Sequence, residues 1–386
     1  MTLVIRERRH KQALRLSLPK SPSIPSSNSD SPHQIHVHSP PGIIKDLSHL
    51  EKREVLGHGN GGTVYKVYHK KTSSFYALKV LRLNENGFGI RQTAKLEADI
   101  LKRVDSPYIV KCHAVFDSCN SNNDGDNGGD ISFVMEYMEG GSLNDVLRIH
   151  HRLSEKVISV LGRRVLEGLR YLHGMNIVHR DIKPSNLLVN DKGEVKIADF
   201  GVSHVVEGRF EGNEYDAGTC AYMSPERIDP ERWGGENVDE FAGDVWSMGV
   251  VMLECLLGYF PLIGAGQRPD WATLMCAICF AEKLEMPEKA SPEFQNFVRR
   301  CLEKNWRKRA TVLEEECFEV SVPTILGESN SNFLKLLWAY RDDHLQNNVQ
   351  HKQSLSSARA RASNAKPKDG IPSSPFYDIK RNRILN

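Results

Sequence analysis

The chain has 386 residues, of which 40% are apolar, and its formal net charge is +2. This length allows one large two-lobed domain with tails or two ordinary domains, and the composition allows a packed core. The balanced charge gives no bulk argument for binding to nucleic acid or to a membrane surface. The eight cysteines are scattered along the chain, which indicates reduced thiols rather than a disulfide framework.

Secretion and membrane insertion are not indicated by the apolar pattern. The N-terminus, "MTLVIRERRHK", turns basic too early for the apolar core of a signal peptide. The most apolar run, "VWSMGVVMLECLLGYFPL", is interrupted by Glu254 and ends at a proline, so we expect a buried core helix rather than a membrane span. We therefore expect a protein of the cytoplasm that could also enter the nucleus.

Residues 1–45 are rich in Ser, Pro and His and poor in aromatic residues, a composition typical of a disordered arm. Near its start, Arg8 and Arg9 stand just ahead of Leu14 and Leu16 in "RERRHKQALRLSL". An extended segment can place such charges on an acidic patch and such leucines in a groove, as docking motifs do. Taken alone, the pattern is that of a solvated basic arm or a localisation signal.

From Leu50 the chain changes to short alternating apolar runs broken by glycines, which predicts a small antiparallel sheet within 46–139. Residues from about 118–130 are nearly all Asn, Asp, Gly and Ser, and we expect a disordered surface insert between two strands. Helical periodicity follows within 140–346. The sequence therefore predicts an α+β fold with a strand-rich lobe ahead of a helix-rich one, and a disordered basic tail over 347–386.

A glycine-rich segment, "GHGNGGTV", opens the strand-rich region and contains Gly57, Gly59 and Gly62. Glycines between strands let backbone amides approach phosphates that a side chain would obstruct. Lys79, on the next apolar run, is suitably placed to hold the α and β phosphates of ATP, and Glu97, on a following helix, to orient it. Each feature alone has an ordinary explanation as a glycine hairpin or a surface charge.

A more specific motif is "HRDIKPSN", from His179 to Asn186. Asp181 can accept the proton of an attacking hydroxyl, Lys183 can neutralise the transferring phosphoryl group, and Asn186 can hold a magnesium ion. "DFG" follows at the distance of a short hairpin and provides Asp199 as a second metal ligand. Carboxylate and amide oxygens beside a triphosphate suit Mg²⁺. The sequence therefore predicts phosphoryl transfer from ATP with Mg²⁺ as cofactor.

The order and spacing of these motifs, followed by "SPE", resemble those of the eukaryotic protein kinases over roughly residues 50–310. The resemblance implies the bilobal kinase fold and, through "RDIK", a Ser/Thr type of catalytic loop. It also implies that Asp244 supports the catalytic loop and that Glu226 pairs with Arg309. The other nucleotide-site and catalytic positions that it implies are Leu56, Val64, Ala77, the gatekeeper Met135, the hinge residues Glu136 and Met138, and the catalytic Thr219.

Several segments look like the MAP kinase kinases of plants: "MEYMEGGSL", "HRDIKPSNLLVN", "IADFGVS" and "GTCAYMSPERI". Members of that family phosphorylate the Thr and the Tyr of a MAP kinase activation loop. The resemblance therefore implies a dual-specificity kinase with a MAP kinase as substrate, and it favours the docking interpretation of the N-terminal arm. A weakly active scaffold that holds a MAP kinase, or a Ser/Thr kinase with other substrates, is the alternative.

Two regions depart from the family's pattern. The two Ser/Thr phosphorylation sites expected before "GTCAYM" are replaced by Arg209 and Tyr215, which leaves activation by an upstream MAP kinase kinase kinase open. After about residue 312 the chain lacks the family's usual ending. Four acidic residues near the missing sites could imitate a phosphate for Arg180 or could belong to a solvated loop. They are Glu207, Glu211, Glu214 and Asp216.

Overall fold

The structure is a computed structural model that describes residues 44–59, 62–83, 88–118, 129–206, 219–235, 237–263, 270–281 and 286–313. The predicted docking arm, the C-terminal tail and most of the predicted insert lie outside the described residues. So does the acidic stretch from Glu207 to Asp216. The boundaries expected for the arm, the two lobes and the tail therefore stay predictions.

An antiparallel sheet of five strands forms the first lobe: β1 (Leu50–Gly59), β2 (Gly62–His69), β3 (Ser74–Leu83), β4 (Cys112–Asp117) and β5 (Gly129–Glu136). Its spatial order is β1-β2-β3-β5-β4, so β5 lies between β3 and β4. Alternate side chains of neighbouring strands, among them Val67, Leu78 and Val134, are buried together on one face. Strand β5 begins at Gly129, so the last two residues of the predicted insert belong to the sheet.

Helix α1 (Phe88–Arg103) packs into a second apolar cluster, distinct from the one that contains Val67. Its buried positions Ala94, Ala98 and Leu101 follow the three- and four-residue spacing of one helix face. They join Phe133 of β5 in the core. Glu97 shares that face, which explains why a glutamate side chain is buried against the sheet.

The second lobe is built from helices: α2 (Leu143–His150), α3 (Glu155–Gly174), α4 (Pro225–Ile228), α5 (Phe241–Leu257), α6 (Trp271–Met275) and α7 (Pro292–Cys301). Helix α5 contains the most apolar run of the chain and is buried along most of its length, as the sequence predicts. It ends at Gly258, whose φ of +81° suits glycine. In the part of the chain that the structure describes, no helix has the length and apolarity to span a membrane.

Two short hairpin-like pairings bring the motif loops together. Their strands are β6 (Ile177–Val178), β7 (Leu187–Val189), β8 (Val195–Ile197) and β9 (His204–Val205). Strand β6 pairs with β9, and β7 pairs with β8. The "HRDIKPSN" loop connects β6 to β7 and the "DFG" segment connects β8 to β9, so the pairing sets the two loops side by side. The α+β, bilobal fold expected from the sequence is confirmed.

Gly62, the last glycine of the glycine-rich motif, is required by packing. A Cβ atom at this position would lie 2.6 Å from the backbone oxygen of Val80 and 2.6 Å from Cδ2 of Leu81. No rotamer change moves a backbone oxygen, so a side chain would force β2 and β3 apart. The glycine therefore has a structural role in the sheet besides any approach to phosphate.

Candidate active site

Strand β3, helix α1 and the "DFG" segment converge on one ammonium group. Nζ of Lys79 lies 2.7 Å from Oε1 of Glu97 and 2.8 Å from Oδ1 of Asp199. Lys79 stands opposite Phe133 in the sheet register, which fixes the direction of its side chain. The structure therefore brings together the lysine and the glutamate that the sequence analysis selects, together with the expected metal ligand.

Lys79 favours the ionised forms of both carboxylates beside it, whereas the two carboxylates oppose each other. Burial alone would lower the pKa of Lys79, but the negative charges of Glu97 and Asp199 raise it well above its usual value. Desolvation raises the pKa of Glu97 in spite of the lysine. For Asp199, desolvation would raise the pKa, but the ion pair and hydrogen bond with Lys79 lower it overall. Lys79 is therefore positively charged at neutral pH, and its charge favours the ionised form of Asp199.

The catalytic-loop residues form a single hydrogen-bonded cluster around Asp181. Its Oδ1 accepts the backbone N–H of Thr219 at 3.0 Å. Its Oδ2 accepts Nδ2 of Asn186 at 3.0 Å and lies 2.7 Å from Nζ of Lys183. Lys183 also donates to Oγ1 of Thr219 at 2.5 Å. The structure thus unites four of the predicted catalytic residues, although Thr219 lies far along the chain from the others.

Asp244 holds the backbone of this loop from the first turn of α5. Its carboxylate accepts the N–H groups of His179 and Arg180, both at 2.8 Å, and lies 3.0 Å from Nε2 of His173. Complete burial would raise the pKa of Asp244, but these contacts lower it overall. Arg180 and Asp199 have positive φ angles of 66° and 67°, a conformation that disfavours side chains and is tolerated where the surroundings hold it in place.

The expected adenine site lies between the two lobes and is lined by apolar side chains. Met138 is buried with Val110 and Ala198, and Met135 and Leu188 pack against them. Ala77 is buried on β3 opposite Met135. Val64 is part-buried, whereas Leu56 is 44% exposed at the outer edge. Val110, Ala198 and Leu188 were not predicted from the sequence, because a single apolar residue in or beside a strand carries no local signal of ligand contact.

A part-buried ion pair connects the hinge to the strand that leads into "DFG". Nζ of Lys196 lies 2.7 Å and 2.9 Å from the two carboxylate oxygens of Glu136. The lysine side chain is 11% exposed and the glutamate 25%. The same carboxylate accepts the backbone N–H of Lys111 at 3.3 Å. Lys196 is a second residue that the sequence analysis does not select, because its partner is far away in the chain.

We expect Lys196→Met to weaken ATP binding. The change removes the ammonium group that contacts both carboxylate oxygens of Glu136, an interaction worth about 1.5–3 kcal/mol, and leaves the backbone N–H of Lys111 as the described donor to that carboxylate. KM for ATP should rise by about tenfold while kcat changes less, because the lysine does not contact the catalytic cluster. The measurement is steady-state kinetics at varied ATP. Lys192→Met, an exposed position in the same hairpin, is the matched control, and an unchanged KM in Lys196→Met would contradict the expectation.

Arg180 has a carboxylate partner that was not predicted from the sequence. The predicted partners, in the acidic stretch after "DFG", lie outside the described residues. In the structure, Nη2 of Arg180 lies 2.6 Å from Oε2 of Glu240. The spacing between Glu240 and Asp244 could have identified this partner. Asp244 was expected to support the catalytic loop, and a residue four positions away on a helix lies on the same face.

The segment "GTCAYMSPE" is anchored to the helical lobe by polar contacts. Oη of Tyr222 donates to Oε2 of Glu254 at 2.8 Å, and Oγ of Ser247 donates to the backbone oxygen of Tyr222 at 2.7 Å. This accounts for the acidic residue that interrupts the apolar run of α5. The pairing of Glu226 with Arg309 that the resemblance implies is present, with two contacts of 2.7 Å and 2.9 Å.

Comparisons with known proteins agree with this geometry. The chain matches the protein kinase domain over residues 50–319. Mitogen-activated protein kinase kinase 10 of Arabidopsis thaliana is 54% identical over 320 residues, which cover 81% of this chain and 97% of that relative. Mitogen-activated protein kinase kinase 9 of the same plant is 48% identical over 80% of this chain and 95% of its own length. Mitogen-activated protein kinase kinase 7, also from this plant, is 48% identical over 68% and 82%.

Proposed function

The chain belongs to the plant MAP kinase kinases within the protein kinase family, and on this premise we propose that it transfers the γ-phosphoryl group of ATP to both the Thr and the Tyr of a MAP kinase activation loop. The observation that carries the proposal is the cluster in which Asp181 contacts Lys183, Asn186 and Thr219. This cluster places a proton acceptor, a cation and a metal ligand within hydrogen-bond distance of one another, as phosphoryl transfer requires.

In the proposed reaction, Asp181 orients the substrate hydroxyl and accepts its proton as the oxygen attacks the γ-phosphorus. Lys183 balances negative charge on the transferring group, and its contact with Thr219 ties it to the substrate-binding segment. Lys79 holds the α and β phosphates, oriented by Glu97. The bond to the leaving ADP oxygen breaks as the new bond to the hydroxyl oxygen forms.

Mg²⁺ fits the available oxygen atoms. Asn186 uses its amide nitrogen to donate to Asp181, which leaves its carbonyl oxygen for a cation. Asp199 has a second carboxylate oxygen beside the one that contacts Lys79. A hard cation that prefers oxygen ligands suits this pair. Asn186 and Asp199 would hold the ion, which when bound neutralises charge on the phosphates.

The deciding experiment incubates the purified protein and Mg-ATP with several MAP kinases that have been made catalytically inactive. Phosphorylation of the Thr and of the Tyr is read separately by mass spectrometry, with the Lys79→Met protein as background. Modification of both residues supports the proposal. Binding without phosphorylation would favour the scaffold, and phosphorylation of generic peptides alone would favour a Ser/Thr kinase with other substrates.

We propose that the arm binds the MAP kinase through Arg8, Arg9, Leu14 and Leu16. Deleting residues 1–20, or changing both leucines to Ala, is expected to raise KM for the MAP kinase by about tenfold or more, because a tethered motif acts through local concentration. Kinetics with a generic peptide should stay unchanged. Leu3→Ala in the same arm is the control, and retained binding of every tested MAP kinase after deletion would refute docking.

We also propose that the acidic stretch partly replaces activating phosphorylation. A carboxylate has one charge and two oxygens, whereas a phosphate has about −1.5 to −2 charges and three oxygens, so basal activity should be modest. Changing all four acids to their amides is expected to reduce the activity of phosphatase-treated protein severalfold. If the phosphatase-treated protein has no activity and upstream phosphorylation restores it, the proposal is refuted, and phosphorylation of Tyr215 would be the remaining switch. Equal activity of the two proteins would show that the acids are only solvated.

A further inference from the structure

The contact between Arg180 and Glu240 differs from an ordinary surface ion pair. Its atoms are 2.6 Å apart, and the side chains are only 10% and 21% exposed. Charge-assisted hydrogen bonds of this length are stronger than neutral ones, and low exposure reduces screening by water and salt. Exposed pairs, by contrast, commonly contribute close to nothing. The contact is therefore able to influence the position of the catalytic loop.

The start of helix α5 contacts the catalytic loop through two carboxylates. Glu240 is the N-cap residue of this helix, and Asp244 lies in its first turn, four residues later. Residues at this spacing lie on the same helix face. Asp244 accepts backbone N–H groups of the loop, including that of Arg180. Glu240 accepts the side chain of the same arginine. One end of one helix therefore fixes both the backbone and the charged side chain of Arg180.

A second guanidinium, that of Arg227, lies near Arg180, so a negative charge beside Arg180 is needed to offset their repulsion. Nη1 of Arg227 donates to the backbone oxygen of Arg180 at 2.8 Å. Burial and the charge of Arg180 lower the pKa of Arg227, so the two positive groups oppose each other. Glu226 and Asp244 line the same small cavity, but Glu226 is engaged in a separate buried ion pair. Among the carboxylates that line this cavity, Glu240 is in direct contact with the guanidinium of Arg180.

The structure that contains the Arg180–Glu240 ion pair also contains the catalytic cluster in its assembled form. Asp181 is in contact with Lys183 in the same structure, and Lys79 is in contact with Glu97. If the contact with Glu240 moved Arg180 out of its place in the active site, we would expect these two ion pairs to be broken. The ion pair therefore supports the catalytic loop rather than blocking it.

We propose that Glu240 is a positioning residue, a counter-ion built into the helical lobe that holds Arg180 and the catalytic loop in working geometry without a phosphate on the activation segment. The inference rests on the proposed function and concerns the regulation of that same site. Glu240 provides one of the roughly two charges that a phosphate would provide. The protein therefore has basal activity before any modification, and part of that activity originates outside the activation segment.

The test compares phosphatase-treated wild-type and Glu240→Gln proteins with a generic peptide substrate. The amide keeps the size of the side chain and removes its charge. We expect kcat to fall by about tenfold or more, with KM for ATP unchanged within about twofold and the thermal unfolding midpoint preserved. Glu231→Gln, at an exposed position shortly before α5, is the matched control and should leave both constants unchanged. An unchanged kcat in Glu240→Gln overturns the proposal.

A double-mutant cycle separates positioning from a general structural effect. If Glu240 acts through Arg180, then Glu240→Gln should change kcat by less than about twofold in an Arg180→Met background. A further tenfold loss in that background would show that the two residues act independently, and it would overturn the proposal. Both variants are measured on the full chain.

Failure of the proposed function is distinguishable from failure of this inference. If the protein phosphorylates peptides but no MAP kinase, the proposed substrate is wrong, and the kinetic comparison of Glu240→Gln still applies. If no phosphotransfer is found, hydrogen exchange of the amides of residues 179–181 gives an independent measurement. Faster exchange in Glu240→Gln than in Glu231→Gln supports the positioning role, and equal exchange overturns it.

Discussion

Changing Asp181 to Asn is expected to lower kcat by about a thousandfold or more, because it removes the proton acceptor and a negative charge from the centre of the catalytic cluster. Both carboxylate oxygens of Asp181 act as acceptors, one for the N–H of Thr219 and one for Nδ2 of Asn186. An asparagine has only one oxygen, so its amide group must face one of these donors. Lys183 would lose its ion-pair partner at the same point.

The fold should survive this change, because Asp181, although it is buried, contacts polar groups of the site and is not a member of the apolar core. Single-turnover kinetics with Mg-ATP, together with thermal unfolding, measure the two effects separately. Asp191→Asn, an exposed position in the hairpin after the loop, controls for the loss of a charge. Lys79→Met is expected to abolish transfer in the same way, since it removes the cation shared by Glu97 and Asp199. Undiminished turnover in either variant would refute the catalytic assignment.

Changing Glu226 to Gln is expected to reduce the free energy of unfolding by about 3–5 kcal/mol. The side chains of Glu226 and Arg309 are 2% and 0% exposed, and their two parallel contacts of 2.7 Å and 2.9 Å form a bidentate pair. Arg309 also donates to the backbone oxygens of Ala242, Glu303 and Lys304. The neutral amide would leave a buried guanidinium without its counter-charge, and a buried unpaired charge is among the most destabilising changes.

Urea unfolding of the purified variants measures this effect. Arg148→Met is the contrasting control, because Arg148 is 63% exposed and pairs with Asp145 within a helix. Such surface pairs contribute about 0–1 kcal/mol. Similar losses of stability for Glu226→Gln and Arg148→Met would show that the buried pair is not the main connection between "SPE" and the end of the described chain.

The residues that the sequence predicted best belong to continuous motifs. Asp181, Lys183 and Asn186 lie within one short loop, so their chemistry can be read from local spacing alone. The pairing of the neighbouring strands then brings Asp199 to them, as expected from a short hairpin. The buried state of α5 was predictable for a similar reason, since an apolar pattern is a local property of the chain. The kinase fold was implied by the resemblance of these motifs to those of the protein kinases.

The residues that the sequence did not predict act through long-range contacts. Lys196 reaches Glu136 across 60 positions, and Glu240 reaches Arg180 across the same number. A charged residue on a strand or at a helix start is indistinguishable in sequence from a solvated one until its partner is known. The same limit applies to Glu254, which reads as an interruption of an apolar helix until Tyr222 is seen to donate to it.

The left-handed backbone of Arg180 and Asp199 has a consequence for protein engineering. At both positions a glycine would relieve conformational strain of about 1–3 kcal/mol, although each side chain is needed in the site. A glycine would also remove the ion pair that the side chain makes with Glu240 or with Lys79. A library screened only for heat resistance would therefore enrich glycine only where the relief of strain exceeds the loss of the pair, and such variants would be stable but inactive. A screen for both turnover and heat resistance would remove such variants. Their frequency in the screen for heat resistance alone would measure the trade-off between stability and catalytic activity in this protein.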